Sequence, residues 1–453
     1  YNATKPIMNS KLLCLCVLLV ASVTARLFYV SVHPNTIINA DSYGYYSLAT
    51  KLAERPVLNL FVNQYRVPVY STILGGLMVL NNAVDVPLNA PAFRSVLDQL
   101  IFIQSMLSVG GVVLLYLLLL QLSLPIVWAF SISLFFSLNM YTYPLERAVM
   151  TDSLASTFLI GLTYLLIRLV QKPTNRDYVF FGLLSAVSWL LRPNLLLVPL
   201  LSLPLLLLVK TNRKFIRTNI LVFCISLLLP FVFAFFNSSF HGYTGISQIN
   251  EINLLGRILE FKLPAEAGKQ YKTYYNAMLD YRQKNGEPMP YRFIDTYTPL
   301  TYVDTKLMME LQRFDRAVIA ANLPSYVVGA TSYIPKIFSD DPPLLAIDTK
   351  ATTGTSRLFA YLWDISRGVW QLGYLVFILW PVSIWLYFRK PKASRMVPVI
   401  LGAISVSQLL VIVFFDYYDI GQYGRLASVI QPQTYLFLVL MAREYIFSRG
   451  DTI

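Results

Sequence analysis

Residues 97–122 read LDQLIFIQSMLSVGGVVLLYLLLLQL, and this stretch indicates the class of fold. Its 26 positions contain one charged residue, Asp98. A helix needs about 20 predominantly apolar residues to cross the hydrocarbon core of a bilayer. The stretch is therefore long enough and apolar enough to form a membrane-spanning helix.

Apolar runs of the same kind recur along the rest of the chain, and together they predict ten membrane-spanning helices. The runs are 11–32, 97–122, 124–142, 153–170, 178–191, 194–210, 219–236, 369–388, 396–415 and 429–442. We therefore expect an all-α polytopic membrane protein with about ten transmembrane helices.

The composition of the 453-residue chain agrees with a membrane protein. Hydrophobic residues make up 56% and charged residues 13%, whereas soluble domains carry about 25% charged residues. A basic nucleic-acid-binding protein would have many charges with the positive sign in excess, and a disordered chain would have low hydrophobicity. The composition excludes both classes. The three cysteines lie inside apolar runs and form no zinc-binding spacing.

The net charge of +13 is concentrated in three loops between the predicted spans. Segments 168–177, 210–217 and 389–395 hold eleven Lys and Arg and one acidic residue, Asp177, which gives +10 of the total. Basic loops remain on the cytoplasmic side of a membrane. The charge therefore predicts orientation rather than a polyanionic partner, and it places both termini in the cytoplasm.

This orientation divides the chain into three parts. Residues 1–236 form an N-terminal transmembrane module, which includes a first external loop at 33–96. Residues 237–368 form an extracytoplasmic domain whose fold class the sequence does not reveal. Residues 369–453 form the C-terminal transmembrane helices.

Residues 40–54, ADSYGYYSLATKLAE, predict a short amphipathic helix in the first external loop. Tyr45, Leu48, Ala49 and Leu52 fall on one face at helical spacing, and tyrosines suit the level of the lipid headgroups. Asp41 stands at the start of this helix. It is either an N-cap or a general base toward a substrate hydroxyl, and the two roles are compatible.

Residues 63–80, NQYRVPVYSTILGGLMVL, predict a second segment at the membrane interface. Its apolar part, about 14 residues, is too short for a crossing, so we expect an interfacial or re-entrant segment. Arg66 precedes it. This arginine either extends toward the interface to keep its charge in water or binds a phosphate group through two hydrogen bonds.

Several segments, taken in order, resemble the GT-C glycosyltransferases. The pattern acidic-Ser-x-x-Tyr-x-x-Leu-Ala begins at Asp41, and Arg-x-Pro-x-Tyr spans Arg66 to Tyr70. Three later segments also match by pattern: 145–162 (LERAVMTDSLASTFLIGL), 189–201 (WLLRPNLLLVPLL) and 423–440 (YGRLASVIQPQTYLFLVL). The branch resembled most contains the bacterial aminoarabinose transferases and protein O-mannosyltransferases. The resemblance covers the membrane portion and leaves the external domain unmatched.

The resemblance implies an integral membrane enzyme of a bacterial inner or plasma membrane. Such an enzyme moves a hexose or pentose from a polyprenyl phosphate, such as undecaprenyl phosphate, to an extracytoplasmic lipid, glycan or protein, with inversion. The acceptor hydroxyl must lose a proton, so a carboxylate is needed beside it. The leaving group is a lipid phosphate, so fixed positive charge is needed near it. The expected partners are the lipid-linked sugar and membrane lipids, without nucleic acid.

The resemblance also assigns roles to particular residues. Asp41 and Asp152 are the catalytic candidates, with Asp152 alternatively an N-cap of the fourth span. The substrate-binding candidates are Glu146, Arg66, Arg192, Arg425, Tyr45, Tyr70 and Arg257. For Arg192, snorkelling to the interface is an equal alternative. Arg147 adjoins Glu146 in the sequence, which suggests an ordinary ion pair between them, and Arg26 is a weaker candidate for the site.

The sequence departs from the family pattern at three places. Ala40 precedes Asp41, so the paired acids of the O-mannosyltransferases are missing. The chain contains no Trp-Trp-Asp-Tyr-Gly run, which disfavours an oligosaccharyltransferase catalytic subunit. The first loop contains no Asp-x-Asp, which metal-dependent relatives carry there. From this last departure we expect catalysis with no metal site and no cofactor, although the residues are compatible with a divalent metal.

Two other functions remain as alternatives. A polysaccharide polymerase or O-antigen ligase also uses lipid-linked sugars and carries a large external loop, but it would depend on external Arg and His. A flippase or transporter of lipid-linked sugars would show repeated halves, broken helices at midplane and charges within its spans. Here the candidate charges cluster at one membrane face, so the transferase is the preferred hypothesis.

Overall fold

The computed structural model describes residues 5–54, 66–243, 245–285, 292, 293, 296, 304–340, 354–417 and 422–447. Over these residues the chain forms α-helices and short 3₁₀ turns, without a β-strand. The α-helices are α1 (Lys5–Val32), α2 (Ala40–Glu54), α3 (Pro68–Leu80), α4 (Arg94–Gln121), α5 (Ile126–Ser137), α6 (Thr142–Arg147), α7 (Asp152–Gln171), α8 (Asn175–Leu191), α9 (Leu197–Leu206), α10 (Ile216–His241), α11 (Ile249–Glu260), α12 (Lys272–Asn285), α13 (Thr305–Ala321), α14 (Leu323–Ser332), α15 (Ile334–Ser339), α16 (Gly354–Gln371), α17 (Leu375–Arg389), α18 (Ala393–Phe415), α19 (Gln422–Ser428) and α20 (Gln431–Phe447). The predicted all-α class is confirmed.

All ten apolar runs lie in helical regions, but they differ in length. Six helices of the described chain are long and apolar enough to cross a membrane: Ser10–Val32, Pro91–Gln121, Asp152–Gln171, Asn212–His241, Arg357–Arg389 and Ala393–Phe415. At the other four runs, α5, α8, α9 and α20 contain 10 to 17 residues, below the length of about 20 for a straight crossing. The chain is therefore a polytopic membrane protein, and its described residues contain six helices of full spanning length.

A further apolar stretch lies where the sequence analysis placed no span. Helix α13 and the combined α14–α15 segment are bent by 91° and together bring the number of spans to seven if they form one broken crossing. They belong to the stretch 237–368, which the charge pattern placed wholly outside the membrane. Their amphipathic character explains the difference, because α13 contains five charged residues among its apolar ones.

Apolar side chains on the outer face of the bundle are consistent with contact with lipid. Helix α10 exposes Ile220, Leu228, Phe231 and Phe235, each by 49% or more. A soluble protein seldom presents such a contiguous apolar face to water. In a bilayer the same face contacts acyl chains, so the exposure itself supports membrane insertion.

The predicted helix of the first external loop is confirmed as α2. It buries Tyr45, Leu48, Ala49 and Leu52, the face expected from their spacing. Helix α2 packs along α3. The two helices approach so closely at Gly75 that a Cβ there would lie 2.8 Å from the carbonyl oxygen of Ala49. This close pair holds the start of α2, and hence Asp41, in a fixed place.

A second core lies in the helical unit formed by α11, α12 and α13. It buries Ile252, Leu255, Met278, Leu311 and Phe314, among other residues. Helix α11 of this unit also packs against α18. The unit therefore reaches the end of a membrane-spanning helix.

Candidate active site around Asp41

Two arginines bind the carboxylate of Asp41. Arg66 Nη2 lies 2.5 Å from Oδ1, and Arg425 Nη1 lies 2.7 Å from Oδ2. Asp41 comes from the first turn of α2, Arg66 from the residues before α3, and Arg425 from α19. Three distant parts of the chain thus meet at one carboxylate.

The start of α2 is capped by Asn39 rather than by Asp41. Asn39 Oδ1 accepts from the backbone nitrogen of Ser42 at 3.1 Å, and the hydroxyl of Ser42 lies 3.0 Å from the backbone nitrogen of Asn39. This reciprocal pair satisfies the first backbone donors of the helix, as in a capping box. The carboxylate of Asp41 therefore remains available for the arginines.

The electrostatic surroundings of Asp41 favour its charged form. Burial by itself would raise the pKa of Asp41, but the charges and hydrogen bonds of Arg425 and Arg66 outweigh burial and hold the pKa well below its usual range. Such a carboxylate is fully ionised and a weak proton acceptor while both arginines remain in place.

Two tyrosines predicted to bind substrate, Tyr45 and Tyr70, support Arg66. The guanidinium of Arg66 lies over the ring of Tyr45, 4.7 Å from its centroid, and the rings of Tyr45 and Tyr70 meet edge to face at 4.8 Å. Tyr70 is completely buried and donates to Gln104 at 3.0 Å. The aromatic pair fixes the position of Arg66, and a direct contact with substrate remains a prediction for either ring.

Asp152 and Arg192 form a second ion pair of the cluster. Arg192 Nη1 lies 2.7 Å from Asp152 Oδ1, with side-chain exposures of 12% and 3%. Thr151 precedes α7 but makes no side-chain cap, and Asp152 points its carboxylate at Arg192 instead. Asp152 also lies near enough to interact electrostatically with Arg425. The structure thus brings Asp152 and Arg192 close to the Asp41 group.

Glu146 is buried and pairs with Arg26. It forms a bidentate ion pair with Arg26, at 2.9 Å to Nε and 2.7 Å to Nη2. The hydroxyl of Ser108 also lies 3.0 Å from Arg26 Nη2. The suggested pair of Glu146 with Arg147 is wrong, because Arg147 donates to the carbonyl of Pro34. A substrate-binding role for Glu146 remains a prediction.

Arg257 binds the end of α18. Its Nη2 donates to the carbonyl of Val413 at 2.5 Å and to the hydroxyl of Tyr423, while Nη1 lies 2.6 Å from Glu260. The last carbonyls of a helix lack partners within the helix, and this arginine supplies one. Arg257 thus stabilises the junction between α11 and α18, and its predicted contact with substrate remains untested.

The sequence analysis missed Asp416, which follows α18 directly. Its Oδ1 accepts from Asn253 Nδ2 at 2.8 Å. Burial raises the pKa of Asp416 to about 6, against the opposing charges of Arg192, Arg257 and Arg425, and the charge of Asp41 adds to the rise. The sequence contained a signal for this residue, because Asp416 directly follows the predicted span 396–415.

The described residues contain no group of three or more His, Cys, Asp or Glu that could hold a metal ion. The candidate site instead combines two kinds of groups that need no metal. Paired guanidinium groups can hold a phosphate, and neighbouring carboxylates can accept a proton. Independence from metal remains a prediction.

No protein-family profile matches the sequence, and no curated protein matches it. A solved structure with a similar chain course is the archaeal oligosaccharyltransferase AglB from Archaeoglobus fulgidus, in complex with an inhibitory peptide and a dolichol-phosphate. The identity is 14% and the TM-score is 0.46, over 98% of this chain and 52% of that chain. The chain thus spans about half the length of AglB.

Proposed function

We propose that the protein is an integral membrane glycosyltransferase, which moves a hexose or pentose from a polyprenyl-phosphate donor to an extracytoplasmic acceptor with inversion. The convergence of Arg66 and Arg425 on Asp41 carries this proposal. Two guanidinium groups at one point suit the oxygens of a phosphate. The carboxylates beside them supply the proton acceptor that glycosyl transfer to a hydroxyl requires.

Arg425 has unused hydrogen-bonding capacity for an anionic ligand. Its side chain is 8% exposed, and its Nε finds no acceptor among the residues that the structure describes. A buried guanidinium donor without a partner is unfavourable. A donor phosphate would satisfy this group.

An apolar groove near Arg425 suits the lipid chain of such a donor. The groove has a volume of about 570 Å³ and lies between α15 and the start of α17. Its apolar lining is Ile334, Pro335, Phe338, Phe377 and Ile378. Helix α15 also packs against α19, the helix that carries Arg425. A polyprenyl chain in this groove would bring its phosphate toward the arginine pair.

The sequence predicts Asp41 as the general base of this reaction. In the structure both oxygens of Asp41 are bonded to arginines. The carboxylate would therefore become a proton acceptor only after the donor phosphate has taken over Arg66 and Arg425. This role of Asp41 remains a prediction.

The test is a transfer assay with the full chain in proteoliposomes. Polyprenyl-phosphate donors with labelled hexose or pentose would be supplied, together with envelope lipids, glycans and proteins as acceptors. We expect release of polyprenyl phosphate and appearance of a labelled product, and loss of both with Asp41→Ala. If a folded preparation neither binds polyprenyl phosphate nor consumes any of these donors, the proposal is wrong.

A further inference from the structure

Asp41 and Asp416 interact electrostatically, but different groups hold their carboxylates. Both oxygens of Asp41 bind guanidinium groups, at 2.5 and 2.7 Å. Oδ1 of Asp416 instead accepts from the uncharged amide of Asn253 at 2.8 Å. Where neighbouring carboxylates have different surroundings, the surroundings assign them different tasks.

We propose that Asp416 accepts the proton of the acceptor hydroxyl, and that Asp41 holds together the two arginines that bind the donor phosphate. This inference rests on the proposed function. The acceptor oxygen forms the new bond to the anomeric carbon while its proton moves to Asp416. The bond between the anomeric carbon and the phosphate oxygen breaks, and its electron pair leaves with the polyprenyl phosphate toward Arg66 and Arg425.

The backbone around Asp416 fixes the carboxylate in place. The backbone nitrogen of Asp416 donates to the carbonyl of Ile412 at 3.1 Å. The backbone carbonyl of Asp416 accepts from the hydroxyl of Tyr423 at 3.1 Å. Tyr423 lies two residues before Arg425 on α19. The same short helix therefore contacts the backbone of Asp416 and carries an arginine of the phosphate site.

The charges around Asp416 come from several elements that surround it. They are Asp41 on α2, Arg192 after α8, Arg257 on α11, Arg425 on α19 and Tyr326 on α14. Burial opposes ionisation more strongly than the arginines favour it, and the pKa of about 6 follows. A base is most effective when its pKa lies near the working pH. Asp416 meets this condition, whereas the pKa of Asp41 is lowered.

The experiment compares pH profiles of transfer for the full chain and its variants. In the unaltered protein, kcat/KM for the acceptor should fall below about pH 6, as an ionised base of this pKa requires. Asp416→Asn should reduce transfer by about 100-fold or more and should remove that acidic limb. Asp416→Glu should retain the limb and part of the rate. Asp98→Asn, at an exposed carboxylate (63%), is the control. It should change neither the rate of transfer nor its dependence on pH.

The variant Asp41→Asn distinguishes the role of Asp41 from that of Asp416. It should weaken donor binding but leave an acidic limb in the residual rate, displaced to lower pH because one negative charge near Asp416 is gone. If Asp41→Asn removes the limb, or if Asp416→Asn keeps it, the assignment of Asp416 is overturned while the transferase function stands. If the unaltered protein shows no transfer with any donor, the proposed function fails instead.

A second variant covers the case in which Asp416→Asn does not fold. Asn253→Ala removes the hydrogen bond to Oδ1 and leaves the carboxylate in place. Since that bond favours the charged form, its loss should move the acidic limb to higher pH. If the fall of kcat/KM at acidic pH occurs at the same pH in Asn253→Ala as in the unaltered protein, the proposal is overturned.

Discussion

The carboxylate of Asp41 and the guanidinium of Arg425 meet at 2.7 Å although 384 residues separate them in the chain. One lies at the start of α2, and the other lies in the short helix before α20. Their contact brings N-terminal and C-terminal parts of the chain together at one site.

Replacement of Arg425 by Ala should weaken the binding of polyprenyl phosphate by about 10- to 100-fold, because a charge-assisted hydrogen bond contributes roughly 1.5–3 kcal/mol. Arg425→Lys should recover only part of the affinity, since an ammonium group lacks the planar fork of a guanidinium. Binding of the lipid to the protein in nanodiscs measures both. Arg94→Ala, at a 76% exposed arginine, serves as control. Equal affinity in all three variants would contradict the phosphate role.

The buried pair of Arg26 and Glu146 should matter for stability. Glu146→Leu leaves a buried guanidinium without its partner, and such a change costs about 3–5 kcal/mol. The double variant Arg26→Met with Glu146→Leu should be more stable than Glu146→Leu alone, because no uncompensated charge remains. Thermal unfolding in detergent gives the comparison. If the effects of Arg26→Met and Glu146→Leu on thermal stability were strictly additive, a direct interaction between Arg26 and Glu146 would be contradicted.

The pH dependence of stability should have opposite signs at Asp416 and Asp41. The folded state raises the pKa of Asp416 from 3.8 to about 6, so it binds this proton more tightly than the unfolded state, and ionised Asp416 lowers stability above about pH 6. Asp416→Asn should therefore raise the thermal midpoint at about pH 7.5 and change it little near pH 4.

At Asp41 the folded state lowers the pKa below 3.8. Its contribution to stability is present above that pH and is lost as the pH falls further. Asp41→Asn should accordingly lower the midpoint of thermal unfolding at neutral pH. A shift of the same sign for both variants would contradict the assigned environments.

The orientation predicted from the basic loops can be measured by single-cysteine labelling. After replacement of the three native cysteines, Arg176→Cys and Lys392→Cys should react with an impermeant maleimide only from the cytoplasmic side. Lys269→Cys, exposed in the helical unit of α11 to α13, should react only from outside. The reverse pattern would invert the topology and place the candidate site in the cytoplasm.

Local patterns in the sequence were sufficient for much of the secondary structure. Helix α2 begins and ends where the periodicity of 40–54 predicted, and it buries the predicted face. The ten apolar runs all proved helical, because a run of apolar residues in a membrane has to satisfy its backbone hydrogen bonds internally. Their lengths after folding could not be read from the runs, since neighbouring turns shortened α5 and α9.

The partners of the charged residues could not be read in this way. Proximity in the sequence suggested that Glu146 pairs with Arg147, but the structure pairs it with Arg26, 120 residues away. Asp416 received no attention, because its surroundings come from α2, α8, α11 and α19. A charge interacts with whatever lies within a few ångströms, irrespective of distance along the chain.

The amino-acid sequence by itself determined that this chain is a helical membrane protein, because hydrophobicity and its period act locally. It also singled out Asp41, Arg66 and Arg425 as polar residues beside apolar runs. Only the tertiary structure decided that these three meet, that Asn39 caps α2, and that Asp416 stands within the same electrostatic field. The physical reason is that desolvation and ion pairing depend on the packed surroundings of a group, which form only when distant helices come together.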